Sequence, residues 1–243
     1  MWLGRRIAVV IPAFGEERLI GRTLASLPDF VDHAVVVDDA SPDRTADAVR
    51  CCSDPRVELV RHSENRGVGA AIATGYGVAL RHGADVMAVM AGDAQMDPAD
   101  LPAVIDPVAR GDADYVKGNR FLHPEAHRMP VLRRMGSGAL AVLTRAATGL
   151  SVDDTQCGYT ALGRSAAQDL PLDELWPRFG YPNDLLGLLA SRGRVVKEVA
   201  VRPVYAGEKS GLRPWHVAQI AGVILRRWSR ERPEAFASSR LSL

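Results

Sequence analysis

The apolar run Val86–Met90 ends abruptly in Ala91-Gly92-Asp93-Ala94-Gln95-Met96-Asp97-Pro98. Buried strands end this way when their tips carry oxygen ligands into a cleft. Carboxylate and amide oxygens on a rigid strand end suit Mg2+ or Mn2+, which in turn can hold a diphosphate. Asp97, directly before Pro98, reads instead as the cap of the next helix. A second cluster, Arg120, His123, His127, Arg128, Arg133 and Arg134, is opposed only by Glu125. Arginine forks match phosphate oxygens bidentately. Arg133 and Ser137 stand four residues apart, so a helix would place both on one face. A solvated helical face accounts for the same cluster. The histidine pair His123 and His127 lacks the third ligand and the Glu of a zinc motif.

These groups need elements to position them. Ile7–Ile11, Ala34–Val37, Val57–Val60 and Val86–Met90 read as buried strands. Between them, Leu19, Ile20, Leu24 and Leu27 mark one helical face. Ser41-Pro42-Asp43 launches a helix through about Val49, and a Gly/Ala-rich helix runs from about Gly67 to Arg81. Strands alternating with amphipathic helices imply a parallel sheet covered on both faces, with ligands beyond the carboxyl ends of the strands. Phe14, Asp39 and Asp93 all follow strand ends and should share one rim. The second half is less regular. Tyr115–Gly118 is expected as a strand, Met129–Ala147 and Pro182–Ser191 as helices, and Val195–Val204 as a final strand. Gly67, Gly69, Gly75 and Gly77 are not followed by the Gly-Lys-Ser/Thr of a Walker loop, so close helix packing is the better reason for them. No Gly-x-Gly-x-x-Gly follows the first strand, which disfavours a dinucleotide-binding dehydrogenase.

The 243 residues suffice for one large α/β domain with a substantial core. A net charge of +1 with 24% charged residues gives no sign of nucleic-acid binding or of a disordered tail. Cys51, Cys52 and Cys157 lack zinc-ligand spacing and fit a reduced, cytoplasmic setting. No segment approaches the roughly 20 apolar residues of a membrane span, and the N-terminal residues do not read as a secretory signal. From Trp215 through Val217, Ile220, Val223, Ile224, Leu225 and Trp228 the chain is apolar, with Arg226, Arg227, Arg230 and Arg232 beside and after. That pattern suits a helix lying on a lipid interface, or one packed on its own domain or on a twin subunit. The expected division is a catalytic domain over 1–212 and an amphipathic helix with a tail over 213–243.

Seven motifs occur in order: Ile11-Pro12-Ala13-Phe14-Gly15-Glu16-Glu17, Val37-Asp38-Asp39-Ala40-Ser41-Pro42-Asp43, Asn65-Arg66-Gly67-Val68-Gly69, Gly92-Asp93-Ala94-Gln95-Met96-Asp97-Pro98, Gly118-Asn119-Arg120-Phe121, Asp154-Thr155-Gln156-Cys157-Gly158-Tyr159 and Gly207-Glu208-Lys209-Ser210-Gly211. Together they resemble the family 2 glycosyltransferases of GT-A fold, in the dolichyl- or polyprenyl-phosphate mannosyl- or glucosyltransferase group. The resemblance implies a Rossmann-like, mostly parallel α/β sheet in a single domain. It also implies an inverting transfer of mannose or glucose from a GDP- or UDP-sugar to a polyprenyl or dolichyl phosphate.

By this resemblance Pro12, Phe14, Glu16 and Asp39 bind the nucleotide, with Asp38 a possible partner of Asp39. Asp93 and Gln95 hold Mg2+ or Mn2+ as cofactor, and Lys209 folds over the diphosphate with Arg202 and Arg213 nearby. Arg120, Arg133 and Ser137 hold the acceptor phosphate. Asp154 and Gln156 belong to a segment beside the sugar donor. The family's usual Asp-x-Asp-x-Gln is broken, since Ala91 stands where the first Asp is expected. Asp184 opens a helix, where it has a simple capping role; it is a candidate base only for an alcohol acceptor, since a phosphate monoester is already ionised. The alternatives are a transferase acting on a soluble hydroxyl, and a noncatalytic sugar-nucleotide-binding subunit. Peripheral membrane contact, or a separate membrane partner, would bring a lipid acceptor to the site.

Overall fold

A computed structural model describes residues 1–204 and 214–231. Seven strands form one sheet: β1 (Ile7–Ala13), β2 (His33–Asp38), β3 (Val57–Arg61), β4 (Val86–Val89), β5 (Tyr115–Asn119), β6 (Thr160–Gly163) and β7 (Val196–Ala200), in the order β3-β2-β1-β4-β6-β5-β7. All neighbours are parallel except β6, which runs antiparallel to both β4 and β5. The sheet is therefore mostly parallel, as expected. The reversed strand was not anticipated, since Thr160-Ala161-Leu162-Gly163 is too short to show a period.

Alternation along β1 explains the layers. Ile7, Val9 and Ile11 turn to one face, where α1 (Ile20–Ala25), α2 (Thr45–Arg50) and α4 (Leu101–Ala109) supply Leu24, Val49, Leu101 and Ile105. Ala8 and Val10 turn to the other, against α3 (Val68–Arg81), α6 (Arg164–Asp169) and α7 (Tyr181–Ser191). A Cβ at Gly75 would stand 2.2 Å from Val10 Cγ1, so the glycine is what lets α3 lie directly on β1. The expected final strand Val195–Val204 is shorter, ending at Ala200.

Two long helices lie beyond this body. α5 (Val131–Thr148) and α8 (Pro214–Glu231) pack together through Leu140, Ile220 and Ile224. α8 also lies along α7, where Arg227 is buried against Asp184. Of the three readings of this helix, the structure shows packing on its own domain: Ile220, Val223 and Ile224 are buried, while Leu225 and Trp228 stay partly exposed. The side chain of Trp215, and Arg232, lie outside the described residues. No helix among the described residues is long and apolar enough to cross a membrane.

Candidate active site

β1, β2 and β4 end at one edge of the sheet, and backbone bonds continue past their tips. Asp39 N donates to Ala13 O (2.9 Å) and Gly92 N to Pro12 O (3.2 Å). These bonds bring Phe14, Asp39 and the Asp93–Gln95 segment to one rim, as the strand-end reading expected. Pro12 and Glu16 are half-buried there, and the Phe14 ring is 51% exposed. Gly15 turns the chain at φ +75°, and its amide donates to Ser41 Oγ (3.0 Å) while that of Glu16 donates to Thr45 Oγ1 (2.8 Å). The loops after β1 and β2 are thus sewn together. The expected cap at Ser41 with Pro42 at the first helical position is not what forms, since α2 starts at Thr45 after Arg44, Ser41 serves this seam, and Asp43 Oδ1 accepts from Thr45 N (3.0 Å).

Asp39 is buried, and its carboxylate accepts from His62 Nδ1 (2.7 Å) and from the amides of Arg66 (2.9 Å) and Gly67 (2.7 Å). A carboxylate offers about four acceptor positions, so three are engaged in holding the entry to α3. Asp38 accepts from Ser41 N (3.0 Å), with Arg61 Nε 3.0 Å from its other oxygen. At the start of α3 the amides of Gly69 and Ala70 donate to Pro177 O (2.8 and 3.2 Å). The helix N-terminus is therefore filled by protein, and a Cβ at Gly69 would stand 2.2 Å from Trp176 O. Gly67, Gly69 and Gly75 serve close packing, as expected, whereas a Cβ at Gly77 would meet only Arg81 Nη1 at 3.8 Å.

In the loop after β4, Ala94 adopts φ +55°, a conformation that costs a non-glycine residue roughly 1–2 kcal/mol. The turn is held by Gln95 N on Asp93 Oδ1 (3.0 Å) and Thr23 Oγ1 on Gly92 O (3.1 Å). It keeps Asp93 and Gln95 half-buried on the rim. One carboxylate and one amide, with no nitrogen or sulfur donor between them, is a set that fits Mg2+ or Mn2+. Asp97 caps the following turn, its Oδ1 accepting from Ala99 N (3.0 Å), as expected.

The acceptor candidates are more entangled. Arg120 follows β5 and lays its fork on Asp154, Nε to Oδ2 at 2.7 Å and Nη2 to Oδ1 at 2.9 Å. Burial would raise the Asp154 pKa, but the Arg120 guanidinium and amide outweigh it and hold the carboxyl below its ordinary value. Glu198 on β7 orients the pair, accepting from the amides of Asp153 (3.0 Å) and Asp154 (2.9 Å) and from Asn119 Nδ2 (2.9 Å). Lys117 is fully buried nearby, with Nζ on Cys157 O (2.6 Å), and burial pushes its pKa down. Gln156 donates to Asn183 Oδ1 (2.9 Å), and Asn183 in turn to Thr144 Oγ1 (2.8 Å), which ties the segment to α7 and α5. Arg133 is half-buried and Ser137 buried, one turn apart on α5 as expected.

Asp184 differs most from its catalytic candidacy. It is buried, accepts from Arg227 Nε (2.8 Å) and Nη2 (2.9 Å), and caps the loop at Trp176 N (2.8 Å). Both carboxylate oxygens are taken up by the guanidinium and the Trp176 amide, so the geometry favours an anchoring role. Arg202 pairs with Glu125 (3.0 Å), and Lys209 and Arg213 lie outside the described residues. Sequence reasoning gave no site role to His62, Glu198, Asn183 or Arg227, whose partners Asp39, Asn119, Thr144 and Asp184 lie 23, 79, 39 and 43 residues away, beyond the reach of any local motif.

The Glycosyl transferase family 2 profile matches residues 8–170. The chain belongs to glycosyltransferase family 2. The undecaprenyl-phosphate mannosyltransferase of Micrococcus luteus is 31% identical over 202 residues, covering 81% of this chain and 82% of that protein. The UDP-N-acetylglucosamine–dolichyl-phosphate N-acetylglucosaminyltransferase of Methanococcus voltae is 28% identical over 216 residues, covering 82% and 86%. Glucosyl-3-phosphoglycerate synthase of Mycobacterium tuberculosis, solved with Mn2+, UDP and glucosyl-3-phosphoglycerate, superimposes with a TM-score of 0.70 at 22% identity, covering 93% of this chain and 81% of that one. The fold of this glycosyltransferase is thus GT-A, and the protein is an enzyme rather than a noncatalytic binding subunit.

Proposed function

We propose that the enzyme transfers a hexose, mannose or glucose, from a GDP- or UDP-sugar to a polyprenyl phosphate, with inversion at the anomeric carbon. The observation that carries this reading is the oxygen pair Asp93 and Gln95, held on the same rim as the exposed Phe14 ring. The lipid-phosphate acceptors named for the relatives support it.

In this reading Phe14 offers the nucleotide base an apolar surface, and Pro12, Glu16 and the remaining acceptor capacity of Asp39 complete its site. Asp93 and Gln95 would hold Mg2+ or Mn2+, which supplies positive charge against the departing diphosphate. Lys209 adds a second cation there. Arg133 and Ser137 bind the acceptor phosphate and aim one of its oxygens in line with the bond to be broken, a gain of position. Arg120, held in place by Asp154, stands with them on the acceptor side in this reading.

The fates of the acids favour phosphate over a hydroxyl acceptor. An alcohol needs a base, and Asp154 and Asp184 are both held by arginines. An ionised phosphate needs none. The Trp228 and Leu225 side chains on α8 provide a modest apolar surface for peripheral membrane contact on the cytoplasmic side. The test is a panel of GDP- and UDP-hexoses offered with a short polyprenyl phosphate or with soluble alcohols, scored by product mass. Hexose added to the lipid phosphate alone is expected; transfer only to alcohols would overturn the reading.

A further inference from the structure

At the opposite ends of the strands, three side chains converge that the transfer reaction does not use. His33 begins β2, Glu58 lies in β3, and His82 caps the C-terminus of α3. Glu58 pairs in register with Val35, two residues from His33, so both side chains rise on the α3 side of the sheet, where α3 ends. His33 Nε2 is 3.0 Å and His82 Nε2 2.8 Å from the same oxygen, Glu58 Oε2. The two rings lie 4.2 Å apart between centroids, tilted by 34°.

We propose that His33, Glu58 and His82 form a binding site for a transition-metal dication of the Zn2+ class, separate from the cation of the transfer site. The three ligand atoms all lie within 4.8 Å of one another. A tetrahedral ion with ligands at about 2.0–2.1 Å separates them by roughly 3.3 Å, so the contacts to Glu58 need open by only a few tenths of an ångström. Two imidazoles with one carboxylate favour Zn2+, Ni2+ or Cu2+ over Mg2+ and Mn2+, the reverse of the all-oxygen pair Asp93 and Gln95.

The surroundings suit a cation. The carbonyl end of the 14-residue helix α3 points here and carries partial negative charge. His33 and His82 line a cavity of about 300 Å3, with room for water as a fourth ligand. Arg6 and Asp32 share this lining, and the Arg6 guanidinium donates to His82 O (3.3 Å). The ligand side chains are 20%, 39% and 50% exposed, so an ion can enter without unfolding. β2 runs six residues from His33 to Asp38, which puts this site roughly 20 Å from the rim. A bound ion would tie the edge strand β3 to β2 and to α3.

The experiment is calorimetric titration of Zn2+ into the chelator-treated full chain with Mg2+ in excess, followed by Co2+ substitution read by its visible d–d bands. One equivalent of Zn2+ is expected to bind, at least tenfold more weakly in His82→Ala and in Glu58→Gln, and unchanged in Asp93→Ala. Co2+ should show tetrahedral bands that His33→Gln removes. Circular dichroism checks that each variant is folded, and since none of the three positions is buried, folding is the expected result. Absence of Zn2+ binding under Mg2+ would overturn the proposal. So would equal affinity in wild type and His82→Ala, or loss of binding in Asp93→Ala alone.

Discussion

Replacing Arg227 by Ala isolates the contact that joins the C-terminal helix to the catalytic body. Both side chains of the Arg227–Asp184 pair are 6% exposed, and the carboxylate is bonded through both oxygens. Truncating the arginine strands a buried carboxylate, a loss of about 3–5 kcal/mol. The stem is lost too: Gly187 leaves so little room that a Cβ there would stand 2.5 Å from Arg227 Cγ. Replacing both partners with apolar residues, Asp184→Leu with Arg227→Met, removes the stranded charge. It leaves the Trp176 amide without its acceptor, worth about 1–3 kcal/mol, so the double variant should be more stable than Arg227→Ala. Urea unfolding followed by circular dichroism measures both, and an unchanged m value confirms that the same surface is exposed. Asp184→Asn adds the catalytic arm: loss of a general base costs about 100- to 10,000-fold in rate, whereas an anchor should leave turnover of the folded enzyme within severalfold. A cost below about 1 kcal/mol for Arg227→Ala, the figure for exposed pairs, would refute the buried anchor. A hundredfold rate loss in a fully stable Asp184→Asn would make Asp184 the base.

Gly69→Ala should lower the melting temperature, since its Cβ would meet Trp176 O at 2.2 Å and Tyr181 Cβ at 2.8 Å, an overpacking cost of about 1–3 kcal/mol; an unchanged Tm would contradict this. Arg133→Ala should raise KM for the lipid phosphate by about tenfold with kcat nearly unchanged, as for loss of a ground-state contact; a matching fall in kcat would move the arginine to the transition state. Asp154 sets an acid limit. Its folded pKa lies below the ordinary aspartate value of 3.8, so its contribution is complete above that value and is lost as pH falls through the lower folded one. Asp154→Asn should therefore flatten the steepest acid part of the stability profile measured by urea unfolding across pH.

The rim at the ends of β1, β2 and β4 was legible because its signals are local. Apolar runs such as Ile7–Ile11 and Val86–Met90 end at polar residues, and strand alternation with helices forces those ends together. Asp97 as a cap and the packing glycines of α3 were readable for the same reason. The second half hid its logic in distant pairs. Asp184 carries an adequate local explanation at a helix start, and nothing near it announces Arg227, 43 residues on. Nothing local to Arg120 announces that Asp154 is folded against it, and Glu198 looks like a solvated charge on an edge strand. Four-residue β6 and six-residue α6 are each too short for hydrophobic periodicity to declare them.

The central claim is that Asp93 and Gln95 seat the cation that grips the donor diphosphate. Crystals grown with Mn2+ and a nucleoside diphosphate, with diffraction collected to locate manganese by its anomalous signal, test it most directly. The account predicts an anomalous peak within bonding distance of Asp93 and Gln95 oxygens, with the nucleotide base against Phe14. A manganese peak away from both residues, with the diphosphate bound there, would contradict it.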